Sequence, residues 1–197
     1  HVGSYSNIVL SVSDGTIVVS LAPFDITVMN TNDAPVASDV SASGDEDTTI
    51  SVSLSGTDVD VGDSLSYRVV SGPSNGSTSV SGATVSYVPA ANYNGADSFT
   101  YVANDATVDS NAAQASITII PVNDLPVALD ASYTVNTYIE YTIDLSTLAS
   151  DVDGDALTLS IHSYPSRGVV NFVEGSSTSV IYQSLQGYQG ADSFQYS

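Results

Sequence analysis

The sequence predicts an all-β protein made of tandem β-sandwich repeats, and three observations lead to that expectation. Val, Ser, Thr and Tyr are abundant in a chain of 197 residues that has no Trp, no Cys and only two basic residues. β-Branched and aromatic side chains suit a pleated, half-buried surface. Apolar residues alternate with polar ones in short runs bounded by Gly, Pro, Asn and Asp, the signature of strands and turns. No stretch sustains the spacing of three and four that a helix needs. Finally, blocks of sequence recur in a fixed order, which is how a repeat architecture announces itself.

The recurrence sets the domain plan. NDAPVA at Asn32–Ala37 returns as NDLPVA at Asn123–Ala128, 91 residues on. TDVDVGDSL from Thr57 returns as SDVDGDAL from Ser150, with Asp58 and Asp151 93 apart. NGADSFTY at Asn94–Tyr101 returns as QGADSFQY at Gln189–Tyr196, 95 apart. Two copies of one unit with small loop-length changes account for the drift. The expected division is residues 1–31, the tail of a preceding unit; residues 32–122, a complete unit; and residues 123–197, a second unit that stops before its last strand. The chain begins at His1 without a Met and stops at Ser197, so it reads as a piece of something longer.

Within the complete unit each strand is placed by alternation. Val36–Val40 is the first. Ile50, Val52 and Leu54 share one face of the second, and Leu65, Tyr67 and Val69 one face of the third. Asn75-Gly76 reads as a tight turn, followed by strands near Thr78–Val80 and Thr84–Val88. Phe99, Tyr101 and Ala103 line the next, and Ala115, Ile117 and Ile119 the last. Seven short strands with turn signals between them is the pattern of an immunoglobulin-like Greek-key sandwich. Before Asn32, YSNIVLSVSDGT and FDITV read as a closing hairpin turning at Asp14-Gly15. Pro35, Pro121 and Pro126 stiffen the junctions, whose short linkers predict neighbouring domains in near contact and an extended rod.

The formal net charge of −20 excludes whole classes of partner. Nucleic acid is excluded because phosphate binding needs Lys and Arg to release counterions. Anionic membrane surfaces are disfavoured for the same reason, and no apolar run approaches the roughly 18 residues of a membrane span. Without cysteine there is neither a disulfide framework nor a thiolate zinc site. Such a charge repels itself in a compact fold. Either divalent cations offset it, or the surface is acid-biased for salty surroundings that screen it.

The acids are not scattered evenly. In a sandwich of this topology Asp58, Asp60 and Asp63 follow the second strand and Asp105 follows the sixth, facing the preceding linker with Asn32 and Asp33. Glu46 (between Asp45 and Asp47) and Asp97 sit at the opposite end. They are expected to face Asn123 and Asp124, together with Asp151, Asp153 and Asp155 of the next unit. A hard cation with six to eight oxygen ligands removes the repulsion in such a cluster, and Ca²⁺ suits it best. The competing reading is that Asp and Asn are simply favoured turn residues.

The strings NDAP, EDT, TDVDVGDSLSY, YVPAANYNGADSFTY and ND, in that order, resemble the bacterial cadherin-like, tandem Ig-like repeats (tandem-95 type) of large surface proteins and adhesins. The resemblance covers Asn32 to Ser197. It implies a secreted or cell-surface location and calcium at the inter-domain linkers. By position, Asn123, Asp124, Asp151 and Asp153 match the family's linker and D-x-D, and Glu46 and Asp97 match its preceding-domain acids. Asn32, Asp33, Asp58, Asp60 and Asp105 match at the earlier junction. The second copy departs from the pattern with Thr137 and Tyr138 where the first has Glu46 and Asp47.

Two tempting motifs fail. GDSLS at Gly62–Ser66 matches a serine-esterase motif, but that chemistry needs a positioned Asp and His. His162 has no D-x-x-H setting, and the second copy reads GDALT. DVDGD at Asp151–Asp155 opens like an EF-hand, yet the twelfth position is His162 rather than Glu. Asn75-Gly76-Ser77 fits a glycosylation acceptor and is equally explained by a hairpin turn. The expected role is therefore not enzymatic: a calcium-rigidified structural or adhesive segment acting as a spacer or fibre-forming rod. The alternatives are a polysaccharide-binding accessory module of a secreted hydrolase, which would use an exposed Tyr, and a homophilic calcium-dependent adhesion module.

Overall fold

The computed structural model describes residues 3–29, 31–60 and 62–197. Two compact units form, His1–Pro121 and Val122–Ser197. The first opens with β1 (Gly3–Ile8), β2 (Ser11–Ser13), β3 (Val18–Ser20) and β4 (Phe24–Val28). β1 pairs antiparallel with β4, and β2 with β3. The turn between β2 and β3 falls at Asp14-Gly15, where Asp14 Oδ1 accepts the backbone N–H groups of Thr16 and Ile17 at 2.8 Å each. Gly15 holds φ +91°, which a residue with a Cβ rarely adopts.

The rest of the first unit is a two-sheet sandwich. Its strands are β5 (Val36–Ser38), β6 (Val40–Asp45), β7 (Ile50–Ser53), β8 (Ser55–Thr57), β9 (Ser66–Ser71), β10 (Gly76–Ser81), β11 (Thr84–Pro89), β12 (Gly95–Asn104) and β13 (Ala113–Ile120). One sheet has the order β10-β11-β7 and the other β6-β13-β12-β9. Burial alternates along β13 without a break, and Ala113, Ala115, Ile117 and Ile119 point inward. They meet Ile50, Val52, Val85, Tyr87, Phe99 and Tyr101 in one apolar cluster. The period-two pattern of the sequence is thus the pattern of the core.

Two expectations are corrected. The first strand is longer than Val36–Val40 and divides in two: β5 pairs antiparallel with β8 in a two-stranded sheet of their own, while β6 runs parallel to β13 in the four-stranded one. The switch falls at Asp39, whose carboxylate accepts the Gln114 N–H at 2.7 Å. Asn75-Gly76 is not the hairpin turn. β10 starts at Gly76 and pairs with β11 from Gly76↔Pro89 to Ser81↔Thr84, so the chain reverses at Gly82-Ala83.

The second unit contains β14 (Val127–Ala128), β15 (Tyr141–Asp144), a 3₁₀ turn (Leu145–Thr147), β16 (Ala149–Ser150), β17 (Ile161–Ser163), β18 (Gly168–Phe172), β19 (Ser179–Ser184) and β20 (Gln195–Tyr196). The sheets are β15-β19-β18, β17-β20 and β14-β16. Ile143, Leu145, Val170 and Val180 form its buried core. Beside them lies an open cleft of about 1020 Å³ lined by Leu145, His162, Tyr182 and Phe194 among others. Among the described residues, no helix is long and apolar enough to cross a membrane.

Candidate metal centre

The acidic loop of the first unit begins where β8 ends. Asp58 Oδ1 accepts the Asp60 N–H at 2.8 Å, and the Asp63 N–H reaches the Asp60 carbonyl at 3.4 Å. These bonds fold the loop back on itself, as Asp residues do in turns. As a result Asp58, Asp60 and Asp63 each present a ligand oxygen within 4.8 Å of the others. That span is about twice a Ca–O distance of roughly 2.4 Å, the widest separation one ion can bridge. Among the described residues no other group of three His, Cys, Asp or Glu side chains meets that criterion.

The linker is bound to this loop. Asp60 Oδ2 accepts the Asp33 N–H at 2.8 Å, and the Asn32 amide donates to Asp105 Oδ2 at 2.9 Å. Asp105 is buried at the end of β12, and its Oδ1 accepts the N–H groups of Thr107 (2.6 Å) and Val108 (2.7 Å). Ala106 takes φ +80° in that turn. The Val108 N–H, then the Asn32 amide, hold the Asp105 carboxyl below the usual carboxylate range. Asn32, Asp33, Asp58, Asp60, Asp63 and Asp105 therefore belong to one connected group. Within it Asp58 Oδ2 is buried and has no hydrogen-bond partner among the described residues. A buried carboxylate oxygen without a donor is costly unless a cation faces it. That atom fits a hard cation, and so does an all-oxygen ligand set.

The second unit repeats the linkage. Asp153 Oδ2 accepts the Asp124 N–H at 2.7 Å, Asp151 Oδ1 accepts the Asp153 N–H at 2.9 Å, and the Asn123 amide reaches the Asp124 carbonyl at 2.7 Å. The loop is one residue shorter, and the Asp155 N–H also turns onto Asp151 Oδ1, at 3.4 Å. Asn123, Asp124, Asp151, Asp153 and Asp155 form a second connected group.

Glu46 and Asp97 lie elsewhere in the first unit. Glu46 is 3% exposed, and its Oε2 accepts from the Asn94 amide at 3.5 Å. Asp97 fills its oxygens inside its own domain. Oδ1 accepts the N–H groups of Ser74 (3.0 Å) and Ser98 (2.8 Å), and Oδ2 accepts the Asn75 N–H and the Tyr87 hydroxyl, both at 2.8 Å. Burial pushes this carboxyl up, but the Ser74, Asn75 and Ser98 N–H groups and the Tyr87 hydroxyl outweigh it and hold it low. Four donors occupy the roughly four acceptor sites of a carboxylate, which leaves little for a metal. Asp192 does the same in the second unit, accepting from Ser166, Arg167, Ser193 and the Tyr182 hydroxyl. The sequence carried a signal for this clamp: a Tyr ten residues before the Asp of GADSF in both copies.

Comparison with known proteins agrees with the fold. A family described as "Bacterial Ig domain" matches residues 32–118 and 123–197. Among solved structures, an endo-fucoidan hydrolase of glycoside hydrolase family 107 is 21% identical at a TM-score of 0.39, over 100% of this chain and 32% of that one. Extracellular cadherin domains 3–6 of protocadherin Gamma B2 are 17% identical at a TM-score of 0.44, over 98% and 54%. The Escherichia coli adhesin FdeC is 15% identical at a TM-score of 0.27, over 93% and 65%. The chain thus spans about a third of the hydrolase and about half of the protocadherin segment. No curated protein matches it.

Proposed function

The chain belongs to the bacterial Ig domain family, and from that premise we propose that it is a non-catalytic, calcium-rigidified repeat segment of a secreted or cell-surface protein, acting as a spacer or adhesive rod. The observation that carries this reading is the meeting of the Asp58, Asp60 and Asp63 carboxylates, together with an Asp58 Oδ2 that is buried and has no hydrogen-bond partner among the described residues. Asp58, Asp60 and Asp63 would hold the ion, with Asn32, Asp33 and Asp105 beside them. Asn123, Asp124, Asp151 and Asp153 would do so in the second unit. A bound Ca²⁺ would neutralise carboxylates that otherwise repel. The residues of the chain do the rest: the Asp33 and Asp124 N–H groups tie each linker to its acidic loop, so ordering the loop also orders the linker.

The tyrosine positions bear on the polysaccharide alternative. Tyr87 and Tyr101 are fully buried, and the Tyr93 hydroxyl donates to the Ala96 carbonyl at 2.8 Å. Tyr5, Tyr133, Tyr138 and Tyr164 are exposed, so the acidic loop and not the tyrosines carries the spacer reading. The test is a comparison of calcium-loaded and chelated protein by thermal melting and small-angle scattering. Calcium is expected to raise the melting temperature and stiffen the particle. Identical curves with and without it would sink the proposal.

A further inference from the structure

The cleft of the second unit lies where β13 lies in the first. β13 is held between β6, to which it runs parallel, and β12, to which it runs antiparallel. The 91-residue offset of the repeat carries β6 onto residues 131–136, and the 95-residue offset carries the start of β12 onto β20. Both segments line the cleft, through Ala131, Tyr133, Val135, Phe194 and Tyr196. Among the described residues, 131–136 belong to no strand, and β20 pairs only with β17. Two aromatic residues register the difference. Phe99 and Tyr101 are fully buried in the first unit, whereas their counterparts Phe194 and Tyr196 are part-exposed.

β4 is the converse, a closing strand without a core. The same 91-residue offset places Phe24, Ile26 and Val28 on Ala115, Ile117 and Ile119, the inward face of β13. Yet all five residues of β4 are exposed, Ile26 at 46%. β4 pairs only with β1, and a two-stranded ribbon is marginal in water by itself.

We propose that the cleft of the second unit is a strand-acceptor site, and that its occupant is β4 of a second copy of this chain. β4 exchanges β1 for β20, antiparallel to it, and pairs in parallel with residues 131–136 on its other edge. Such an insertion adds main-chain hydrogen bonds along both edges, while alternate side chains enter the core. The first unit supplies the register. Ile117 faces Asp97 and Thr118 faces Ala96, so Ile26 comes to face Asp192 and Thr27 comes to face Ala191. Donor and acceptor are different surfaces of the chain, so the contact is heterologous and grows open-ended rather than closing a dimer.

The test uses the whole chain with calcium chelated, which separates it from the calcium reading. Salt is added to screen the charge of −20 on each copy. Sedimentation should show a mass that rises past the dimer with protein concentration. Ile26 is exposed, so Ile26→Asp leaves both units folded; it places a charge on the inserted face and should weaken association roughly ten-fold or more. The chain has no cysteine, so a double variant, Thr27→Cys with Ala191→Cys, reports the register. Directly opposed antiparallel residues stand about 4.5–5.5 Å apart at Cα, within reach of a disulfide. Oxidation should give a ladder of covalent multimers, and each single variant at most a dimer. A monomer at every concentration, wild-type association in Ile26→Asp, or no ladder from the double variant would overturn the proposal. A disulfide closed within one chain would overturn the second copy as the occupant.

Discussion

The Tyr87 hydroxyl donates to Asp97 Oδ2 at 2.8 Å, and 95 residues later the Tyr182 hydroxyl donates to Asp192 Oδ2 at 3.0 Å. In each copy the same carboxylate also takes backbone N–H groups from the bend that precedes β10 or β18. The pair thus fixes where a strand begins. Asp97→Ala would leave three N–H groups without their acceptor and the Tyr87 hydroxyl with only the Asn75 carbonyl, at 3.2 Å. Hydrogen bonds to a charged group are worth about 1.5–3 kcal/mol each at most, so a loss of about 2–4 kcal/mol is expected by urea unfolding. Tyr87→Phe removes a single donor and should cost about 1–2 kcal/mol. Wild-type stability in Asp97→Ala would refute the clamp.

The same pairs set a dependence on pH at both ends. Asp97 and Asp192 are held below their unfolded value, near 4. Their contribution is complete above that value and is lost as pH falls through the lower folded one, so stability should decline on acidification below about 4. Burial, then the neighbouring carboxylate, pushes the Tyr87 and Tyr182 phenols up. Their contribution is present below an unfolded value near 10 and is lost as pH rises through the folded one. Burial raises the Tyr101 phenol as well, so a tyrosinate absorbance titration should show three of the twelve tyrosines ionising late, and Tyr87→Phe should remove one of them.

Much of this architecture was legible because burial in a sandwich has a period of two. Ile50, Val52 and Leu54, and Ala115, Ile117 and Ile119, are core residues as their alternation implies. The acidic groups were legible because repeats place equivalent residues at equivalent turns. The hydrogen bonds that Asp97 makes inside its own domain were not legible, since a sequence gives an acid its place on the strand but not the direction of its oxygens. Asn75-Gly76 misled for a related reason. The pair favours hairpin turns statistically, but here the glycine is required by a tyrosine ring that packs over it.

That ring yields a sharp prediction. A Cβ built on Gly76 would lie 2.5 Å from the Val88 carbonyl and 2.7 Å from the Tyr87 ring. On Gly168 it would lie 2.5 Å from the Tyr182 ring and 2.8 Å from the Gln183 carbonyl. Gly76→Ala and Gly168→Ala should each cost about 1–3 kcal/mol through forced displacement. Gly72→Ala, with nothing within 4 Å, serves as the control and should be close to neutral. Equal melting temperatures for Gly72→Ala and Gly76→Ala would contradict the contact.

Asp58→Asn should reverse its effect with calcium. Without the ion the substitution removes one of three converging negative charges, and stability should rise by about 0.5–1 kcal/mol, the scale of partly exposed charge pairs. With calcium at about a hundred times its dissociation constant, the wild-type chain gains about 2.7 kcal/mol that the variant largely forgoes. Melting curves of both proteins with calcium and with chelator should therefore cross in rank. The same rank under both conditions would mean that Asp58 serves the turn alone.

Tyr101 and Tyr196 fasten the first strand of each copy to the second. The Tyr101 hydroxyl donates to the Ser38 and Ser55 carbonyls and accepts the Ser55 N–H at 3.1 Å. The Tyr196 hydroxyl donates to the Leu129 and Leu148 carbonyls, at 2.6 and 3.1 Å. β5 has only three residues, and β14 only two, so few backbone bonds hold either strand. Tyr101→Phe keeps the ring in the core and deletes only the polar contacts. It should cost about 1–3 kcal/mol, because three partly buried polar contacts to Ser38 and Ser55 are lost together. It should also raise amide exchange along Val36–Ser38 more than along β12 or β13. Uniform exchange across the unit would show that the hydroxyl supports the domain as a whole. A local rise would show that a single phenol keeps the strand nearest the acidic linker in its sheet.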